Sequence, residues 1–594
     1  VRRLWLALVL SLFCLPLFIG LRALDLETDE GIYSFAVDRM LEDGEWLRPK
    51  SSPSDTEVFL EKPPLKFWIV AAPIRLGLLP RDELGLRFWD ALFGAVAFLY
   101  VFAIGSRLAG GVCGAMAVLI LFVHAPLLLV HGLRTNNMES ALFLCYCGGI
   151  YHYLAWARPS ERRAAHAVVT GFYFALGFLT KFVAALFLPV VIGLATVLFR
   201  PLRARLAAEW RQWAAAGGVV ALLVIPWFAF AFWAFGGRVW DTMFGAHVYE
   251  RFTSSLSELH IQPWHYYFVT MWQEFERAGI QWLVPAGLAI LGIQAARRRW
   301  VEGAVVCLWA TVPLVLISAG SSKLYHYVYP FLPPLALAAA YPVGLAALLG
   351  PVVVRKGLDG AEDLIGRVWP AAQTFAERGW VRTAATAMAL VAAGLVVWTV
   401  VTGQARLRIG RTVIFRSTGL LRPLLAIVIA ALVARRSRSG ATLLVAIVLL
   451  WLVPYSSYRE MLRRLSDERH PLRDAADCIR RVEAAKPPDM RPGLYVDGDG
   501  SMWHPMNYYF RRVQPWTEQR DPSPEALARY VNEPGHFRPS LVQETRYRAY
   551  ALGSRTDAAK PRVSPPLLEL HEYVLLLPGP YRVCSPESRL QPLL

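Results

Sequence analysis

A polytopic α-helical membrane protein of about thirteen spans, with external amphipathic helices and a small C-terminal α/β unit, is the fold class the sequence predicts. Three observations predict it. Of 594 residues, 55% are hydrophobic, and mean hydropathy is +0.37. Nearly uncharged runs of about 18 or more residues, long enough for a hydrocarbon core of about 30 Å, recur along the chain. The residues after 458 break the pattern, with no spanning run and many Pro, Arg, Asp and Glu.

The first run, "WLALVLSLFCLPLFIGL" after Arg2 and Arg3, has a poor small-residue cleavage pattern and reads as a retained anchor helix at 4–21. Further spans are expected at 88–106, 111–131, 138–156, 166–182, 183–199, 214–235, 280–294, 301–319, 327–349, 383–401, 422–434 and 441–457. The transmembrane domain is thus 1–458 and the external domain 459–594. In the latter, "GLYVDGDG" and "YVLLLPG" read as short strands ending in turns. Five of the seven cysteines lie in or beside apolar helices, as small buried hydrophobes. Cys478 and Cys584 lie in the tail, where the sequence leaves their pairing open.

The net charge of +17 does not mark a nucleic-acid binder. Its arginines punctuate the hydrophobic runs, in "ARPSERRAA", "RPLRARLAAEWRQW", "ARRRW" and "ARRSRSG", as in loops held on the cytoplasmic side. With the N-terminus inside, the opposite side receives 22–87, 134–137, 236–279, 321–326 and the tail. The arginine-rich stretch 402–421 also falls outside, against the rule.

The unusual polar residues gather in these outer loops. "TDEGIYSFAVDRML" predicts a helix on the membrane surface, with Asp29 and Glu30 at its N-terminal end and Tyr33 on its apolar side. A simple helix cap also accounts for Asp29. "EKPPLKFWIVAAPIRL" predicts a second such helix, its start marked by Pro63 and Pro64. Glu61 and Lys62 precede it. A lysine at a helix start opposes the helix dipole, so Lys62 calls for an acid or a phosphate, whereas Lys66 reads equally as a snorkelling side chain. Arg87 and Asp90 open the second span; Arg134 and Glu139 flank the start of the fourth. An acid at a membrane helix mouth is costly unless paired or wet, so Glu139 reads as functional. Lys181, in "GFLTKFVAALFLP", either snorkels or holds a phosphate, and the second fits better. In "SSKLYHYVYPFLPP", Lys323, His326, Tyr325 and Tyr327 set a cation, an imidazole and phenols beside a span mouth. A divalent metal at His326, with Asp29, Glu30 or Glu139, stays open, although no recognised metal-ligand spacing supports it.

Together these segments resemble bacterial membrane glycosyltransferases of the aminoarabinose-transferase type, related to the protein O-mannosyltransferases and known as the GT-C fold. The resemblance runs in order through "TDEGIY", "EKPPLKFW", "LGLRFWDALFG", "FLTKFVAALFLP" and "GSSKLYHYVYPFLPPLAL", over about the first 350 residues. Each motif alone is weak; five in register are specific. Ile32 stands where relatives carry an arginine, Glu139 where an aspartate is common, and Tyr325 in place of a proline.

The resemblance implies transfer of a sugar from a polyprenyl-phosphate carrier, such as undecaprenyl phosphate, to a lipid, glycan or protein acceptor. The site would lie at the periplasmic face of a bacterial inner membrane. Lys62, Arg87, Lys181, Lys323 and His326 would bind the carrier phosphate. Asp29 would act as base, with Glu30 and Glu139 as further catalytic carboxylates. Tyr33, Glu61, Arg134, Tyr325 and Tyr327 would line the substrate pocket. One base suffices for an inverting displacement. The alternative is a transporter or lipid flippase, which predicts internal repeats and midplane charges; the charges here cluster at one side's mouths. An assembly factor would leave Lys181 and "EKPP" without a role.

Overall fold

The computed structural model describes residues 2–51, 58–158, 163–254, 260–349 and 378–402, followed by shorter stretches up to residue 576. The chain is a helical membrane protein. Helix α1 (Arg2–Val9) continues through a π turn to Cys14 and a 3-10 turn to Phe18. Then come α2 (Thr28–Asp43), α3 (Leu65–Arg75), α4 (Glu83–Phe122), α5 (Ala125–Leu129), α6 (Glu139–Ala157), α7 (Arg163–Lys181), α8 (Phe187–Leu198), α9 (Arg200–Ala208) and α10 (Trp210–Phe235). Beyond them lie helices Leu283–Arg298, Val301–Ala319 and Gly379–Thr402, and a segment from Tyr325 to Leu349 that begins as a 3-10 turn. Among the described residues five helical segments are long and apolar enough to cross a membrane: Glu83–Phe122, Arg163–Leu198, Trp210–Phe235, Val301–Ala319 and Tyr325–Leu349.

The spans expected at 88–106 and 111–131 correspond to the two halves of α4. The Asp82 side chain caps its start by accepting from Leu84 N and Gly85 N at 2.9 and 3.3 Å. The helix breaks at Ala109–Gly110, where Gly110 adopts φ +82. A Cβ on Gly105 would meet the Gly114 backbone at 2.7 Å. Residues nine apart sit about 13 Å apart in a straight helix, so the chain folds back here, and the paired glycines allow the close approach. Helix α6 packs against both α4 and α7. Near Lys181 the chain breaks again, Phe182 taking φ +50 before a 3-10 turn leads into α8.

Both surface helices expected in the first loop form, as α2 and α3, and they pack on each other. Helix α2 starts with a capping box: Glu27 and Glu30 each accept a backbone N–H at the helix start. Lys66 on α3 does not snorkel. It is buried, donating to Asp90 at 2.8 Å and to Asn136 Oδ1 at 2.9 Å.

Beyond residue 402, β1 (Ala405–Ile409) and β2 (Thr412–Ser417) form an antiparallel hairpin in the arginine-rich stretch. Short strands β3 (Tyr495–Asp497), β4 (Thr517–Gln519), β5 (Ser540–Gln543), β6 (Leu568–Leu570) and β7 (Tyr573–Leu576) pair in the order β4-β3-β5-β7-β6. The expected strands "GLYVDGDG" and "YVLLLPG" overlap β3 and β7. Helices Pro471–Ala484 and Trp503–Phe510 tie the tail to the first loop. Leu472 N donates to Asp25 at 2.6 Å, Leu26 N to the Tyr509 hydroxyl at 2.9 Å, and that hydroxyl to Glu83 at 2.9 Å. The spans expected at 422–434 and 441–457 lie almost wholly outside the described residues, as do the Cys478 side chain and Cys584. The other five cysteines are free thiols, four of them buried.

The Lys66–Asp90 pair yields a stability test. Asp90→Asn leaves the Lys66 ammonium buried without its counter-charge and is expected to cost about 3–5 kcal/mol. Melting of the detergent-purified protein reads the loss, and a Lys66→Met/Asp90→Leu double variant should recover most of it.

Candidate functional site

Two polar layers lie where the first loop meets the helix mouths. The inner one is a buried clamp. Glu30 Oε1 accepts from Arg87 Nε at 2.6 Å and from Asn136 N at 2.8 Å; its Oε2 accepts from Arg87 Nη2 at 2.7 Å and from Glu27 N at 3.1 Å. Arg87 also donates to the carbonyls of Leu21, Leu24 and Asp25 at 3.0, 2.7 and 2.7 Å. All five of its N–H groups are engaged. Arg87, expected on a carrier phosphate, and Glu30, expected in catalysis or as a metal ligand, are paired with each other in this structure. Arg134 is likewise drawn inward, donating to the carbonyls of Leu17 at 3.0 Å, Ile19, and Leu465 at 3.4 Å.

The outer layer surrounds a cavity of about 220 Å³. Its polar lining comes from distant parts of the chain: Glu61 and Lys62 before α3, Glu139 at the start of α6, Lys181 at the end of α7, His247 and Arg251 after α10, and His326 and Tyr327. Phe182, Phe187, Leu142, Ile317 and Phe331 supply the apolar wall. Glu139 accepts from Lys181 and lies 3.4 Å from His326 Nε2. The Lys181 ammonium sits 5.1 Å over the Tyr327 ring, and Arg251 donates to the Tyr327 hydroxyl. Glu61 lies 3.4 Å from His247 Nε2 and 3.9 Å from the Lys62 ammonium.

Thus Glu61, Lys62, Glu139, Lys181, His326 and Tyr327 come together as expected from the sequence. Asp29 sits beside this group: its carboxylate is 43% exposed and lies 3.9 Å from His131 Nδ1. Three expected members are directed elsewhere. Tyr33 packs with Phe59 and Phe67 in an aromatic cluster. Lys323 is buried and donates to the carbonyls of Gln262, at 2.8 Å, and Gly320. Tyr325 bonds His124 Nε2 at 2.8 Å and stacks on its ring. Lys323 precedes the 3-10 turn Tyr325–Phe331, and Leu324 between them is extended, so residues 323–327 do not share one helical face.

Sequence reasoning missed His131, His247 and Arg251. His131 takes a left-handed backbone, φ +51, and lays its ring 4.5 Å from that of His326, nearly parallel. Its only sequence signal is a histidine before glycine at a span end. His247 and Arg251 lie within the loop assigned to the outer side, and no local pattern singles them out.

Burial lowers the Lys62 ammonium to about 8, although neighbouring Glu61 opposes the shift. Burial would raise the Glu61 carboxyl, but the His247 hydrogen bond and Lys62 hold it down at about 2. His247 is itself lowered by burial. Near neutrality the loop side of the cavity therefore offers a carboxylate, a largely neutral imidazole and a lysine that gives up its proton just above pH 8. Cations facing an apolar wall suit a ligand with a phosphate head and a hydrocarbon chain.

The cavity at the helix mouths thus combines several cations with an apolar wall, and comparison with known proteins finds similar chains. Residues 61–230 match the family described as dolichyl-phosphate-mannose-protein mannosyltransferase. The undecaprenyl phosphate-α-4-amino-4-deoxy-L-arabinose arabinosyl transferase 1 of Sodalis glossinidius is 26% identical over 343 residues, 57% of this chain and 58% of that protein. The corresponding transferase of Pectobacterium carotovorum is 28% identical over 324 residues, 54% of this chain and 55% of its own length. The chain thus matches a little over half the length of these relatives. The crystal structure of ArnT from Cupriavidus metallidurans bound to undecaprenyl phosphate superposes with a TM-score of 0.59 at 17% identity, covering 97% of each chain. The chain therefore shares the fold of that structure and is similar in sequence to aminoarabinose transferases and to the protein mannosyltransferase family.

The Lys62 shift sets a pH test. The lysine is charged below about pH 8 and neutral above it, so polyprenyl-phosphate binding should weaken several-fold between pH 7 and 9. Lys62→Arg, charged throughout, should flatten the profile in a titration of the purified protein.

Proposed function

We propose that this protein is a glycosyltransferase that moves a sugar from a polyprenyl-phosphate carrier, such as undecaprenyl phosphate, to a lipid, glycan or protein acceptor. The observation that carries the proposal is the convergence of Lys62, Lys181 and Arg251 on one cavity with an apolar wall. The relatives' names, and the carrier phosphate bound in the neighbouring structure, support it.

In this reading the carrier phosphate lies among the three cations, and its prenyl chain runs along Phe182, Phe187 and Phe331. The acceptor oxygen attacks the anomeric carbon from the face opposite the carrier. As that bond forms, the bond from the anomeric carbon to the carrier oxygen breaks, and its electron pair leaves with the polyprenyl phosphate. The cations offset the growing negative charge. Asp29, the carboxylate open to an arriving acceptor, takes the acceptor proton. Inversion at the anomeric carbon follows from one direct displacement. Glu139 positions Lys181 and His326, and Tyr327 orients Arg251.

The basic loops favour an orientation that puts this site on the periplasmic side of an inner membrane, with about thirteen spans in all. The segment after 458 then forms an external α/β domain, and its contacts to Asp25, Leu26 and Glu83 hold the first loop against the helix mouths.

Membranes bearing wild type, Asp29→Asn or Lys62→Ala at matched abundance, incubated with native lipid extract and radiolabelled polyprenyl-phosphate sugars, test the proposal. Wild type should transfer label. Loss of a donor to the departing phosphate is expected to cost about 10²–10³ in rate, and loss of the base about 10²–10⁴. Movement of labelled lipid across sealed vesicles, with no transfer from any donor, would replace this reading with a flippase.

A further inference from the structure

We propose that His470 and Asp25 form a proton-controlled clasp, closed when the imidazole is charged, that holds the C-terminal segment on the first loop. The contact between these two parts is well bonded except at one point. Asp25 Oδ2 accepts from Leu472 N at 2.6 Å, at the start of helix Pro471–Ala484. Its Oδ1 faces His470 Nδ1 at 3.6 Å. Both atoms are buried, and neither has a hydrogen bond among the described residues. A buried acceptor left without a donor is costly. A neutral ring meets Asp25 with a lone pair or, in its other tautomer, with a neutral donor. The imidazolium meets it with a charge-assisted bond, roughly twice as strong, and histidine is the side chain that gains this charge as pH falls through neutrality.

The surrounding charges favour the proton. His470 stands just before a helix start, where the dipole, equivalent to roughly half a charge, opposes a cation. Two carboxylates act the other way: Asp25, and Asp474, whose N–H donates to the His470 carbonyl at 2.8 Å. Burial, with Asp25 and Asp477 nearby, raises the Asp474 carboxyl, although His470 and Arg473 oppose the shift. The other charges at this contact are engaged. Arg473 pairs with Glu83 at 3.1 Å, the Tyr509 hydroxyl donates to Glu83 at 2.9 Å, and Arg480 donates to the Tyr509 carbonyl at 3.2 Å. The clasp is therefore tightest between the carboxylate and imidazole ranges, about pH 5 to 6, and loosens as pH rises through the imidazole range.

The first loop carries the consequence. On its inner side the Asp25 carbonyl accepts from Arg87 Nη2 at 2.7 Å, and Leu26 N donates to the Tyr509 hydroxyl at 2.9 Å. The clasp thus acts on the residues that lead into Asp29, four positions beyond Asp25. When it opens, that approach loses one of its outer anchors. A weaker Asp29 base at higher pH is a consequence that rests on the transferase reading; the clasp itself stands apart from it.

Hydrogen exchange of the full-length, detergent-purified protein tests the clasp without any substrate. Protection of the peptide spanning residues 22–30, corrected for the intrinsic exchange rate, is compared at about pH 5.5 and about pH 7.5, on either side of the imidazole range. Wild type should be at least about threefold more protected at the lower pH. His470→Gln and Asp25→Asn, each shown by melting to be folded, should abolish that difference. His131→Gln removes the other imidazole beside this loop, which lies 3.0 Å from Thr28 Oγ1, and should keep the difference. Equal protection of wild type at both pH values, a difference that survives in folded His470→Gln, or a loss confined to His131→Gln would overturn the inference. A pH-dependent loop in a chain that transfers no sugar refutes only the transferase reading. Transfer by a chain whose loop is indifferent to pH refutes only the clasp.

Discussion

The geometry of the site depends on one buried ion pair, Glu30 with Arg87. Burying a carboxylate and a guanidinium costs several kcal/mol per ion, repaid only where geometry is good and every polar atom is satisfied. Here the contact is two-pronged, at 2.6 and 2.7 Å, and the remaining donors and acceptors are taken by backbone groups. Through them the pair fastens the end of the first helix, the start of α2, the start of α4 and the loop before α6. Asn136, held by Glu30, also accepts from Lys66, so α3 joins the same lattice. Asp29 is next in sequence to Glu30, and His131 lies in the loop that Asn136 closes. The side chains to which the proposed function assigns chemistry are thus positioned by neighbours to which it assigns none.

The cavity solves a related problem. The cations that face the apolar wall have polar partners in place: the carboxylates of Glu139 for Lys181 and Glu61 beside Lys62, and the Tyr327 hydroxyl as an acceptor for Arg251. In the proposed function an arriving phosphate would exchange partners with groups already in place, so little reorganisation is needed.

Much of this was legible in the sequence because membrane proteins restrict where charge can sit. Lys62, Glu139, Lys181 and His326 stood out as ionisable residues at span mouths, and the structure brings all four to one cavity. The surface helices were readable from their amphipathic pattern and the prolines before the second. The same rule did not separate functional charge from structural charge. Arg87 and Arg134 sit at span mouths too, but which arginine is consumed by backbone carbonyls depends on how the first helix ends, and no local pattern encodes that. Lys323 and Tyr325 turn away from the cavity because the chain is extended at Leu324 and enters a 3-10 turn at Tyr325, which no local pattern marks. His131 was missed because its place depends on a left-handed residue and on a ring 195 positions away in the chain.

The proposed function places the carrier phosphate in this cavity, and a structure determined with a polyprenyl phosphate tests this most directly. The phosphate should lie within hydrogen-bond reach of Lys62, Lys181 and Arg251, with the prenyl chain along Phe182 and Phe187. A phosphate bound away from these three residues, with the cavity empty, would contradict it.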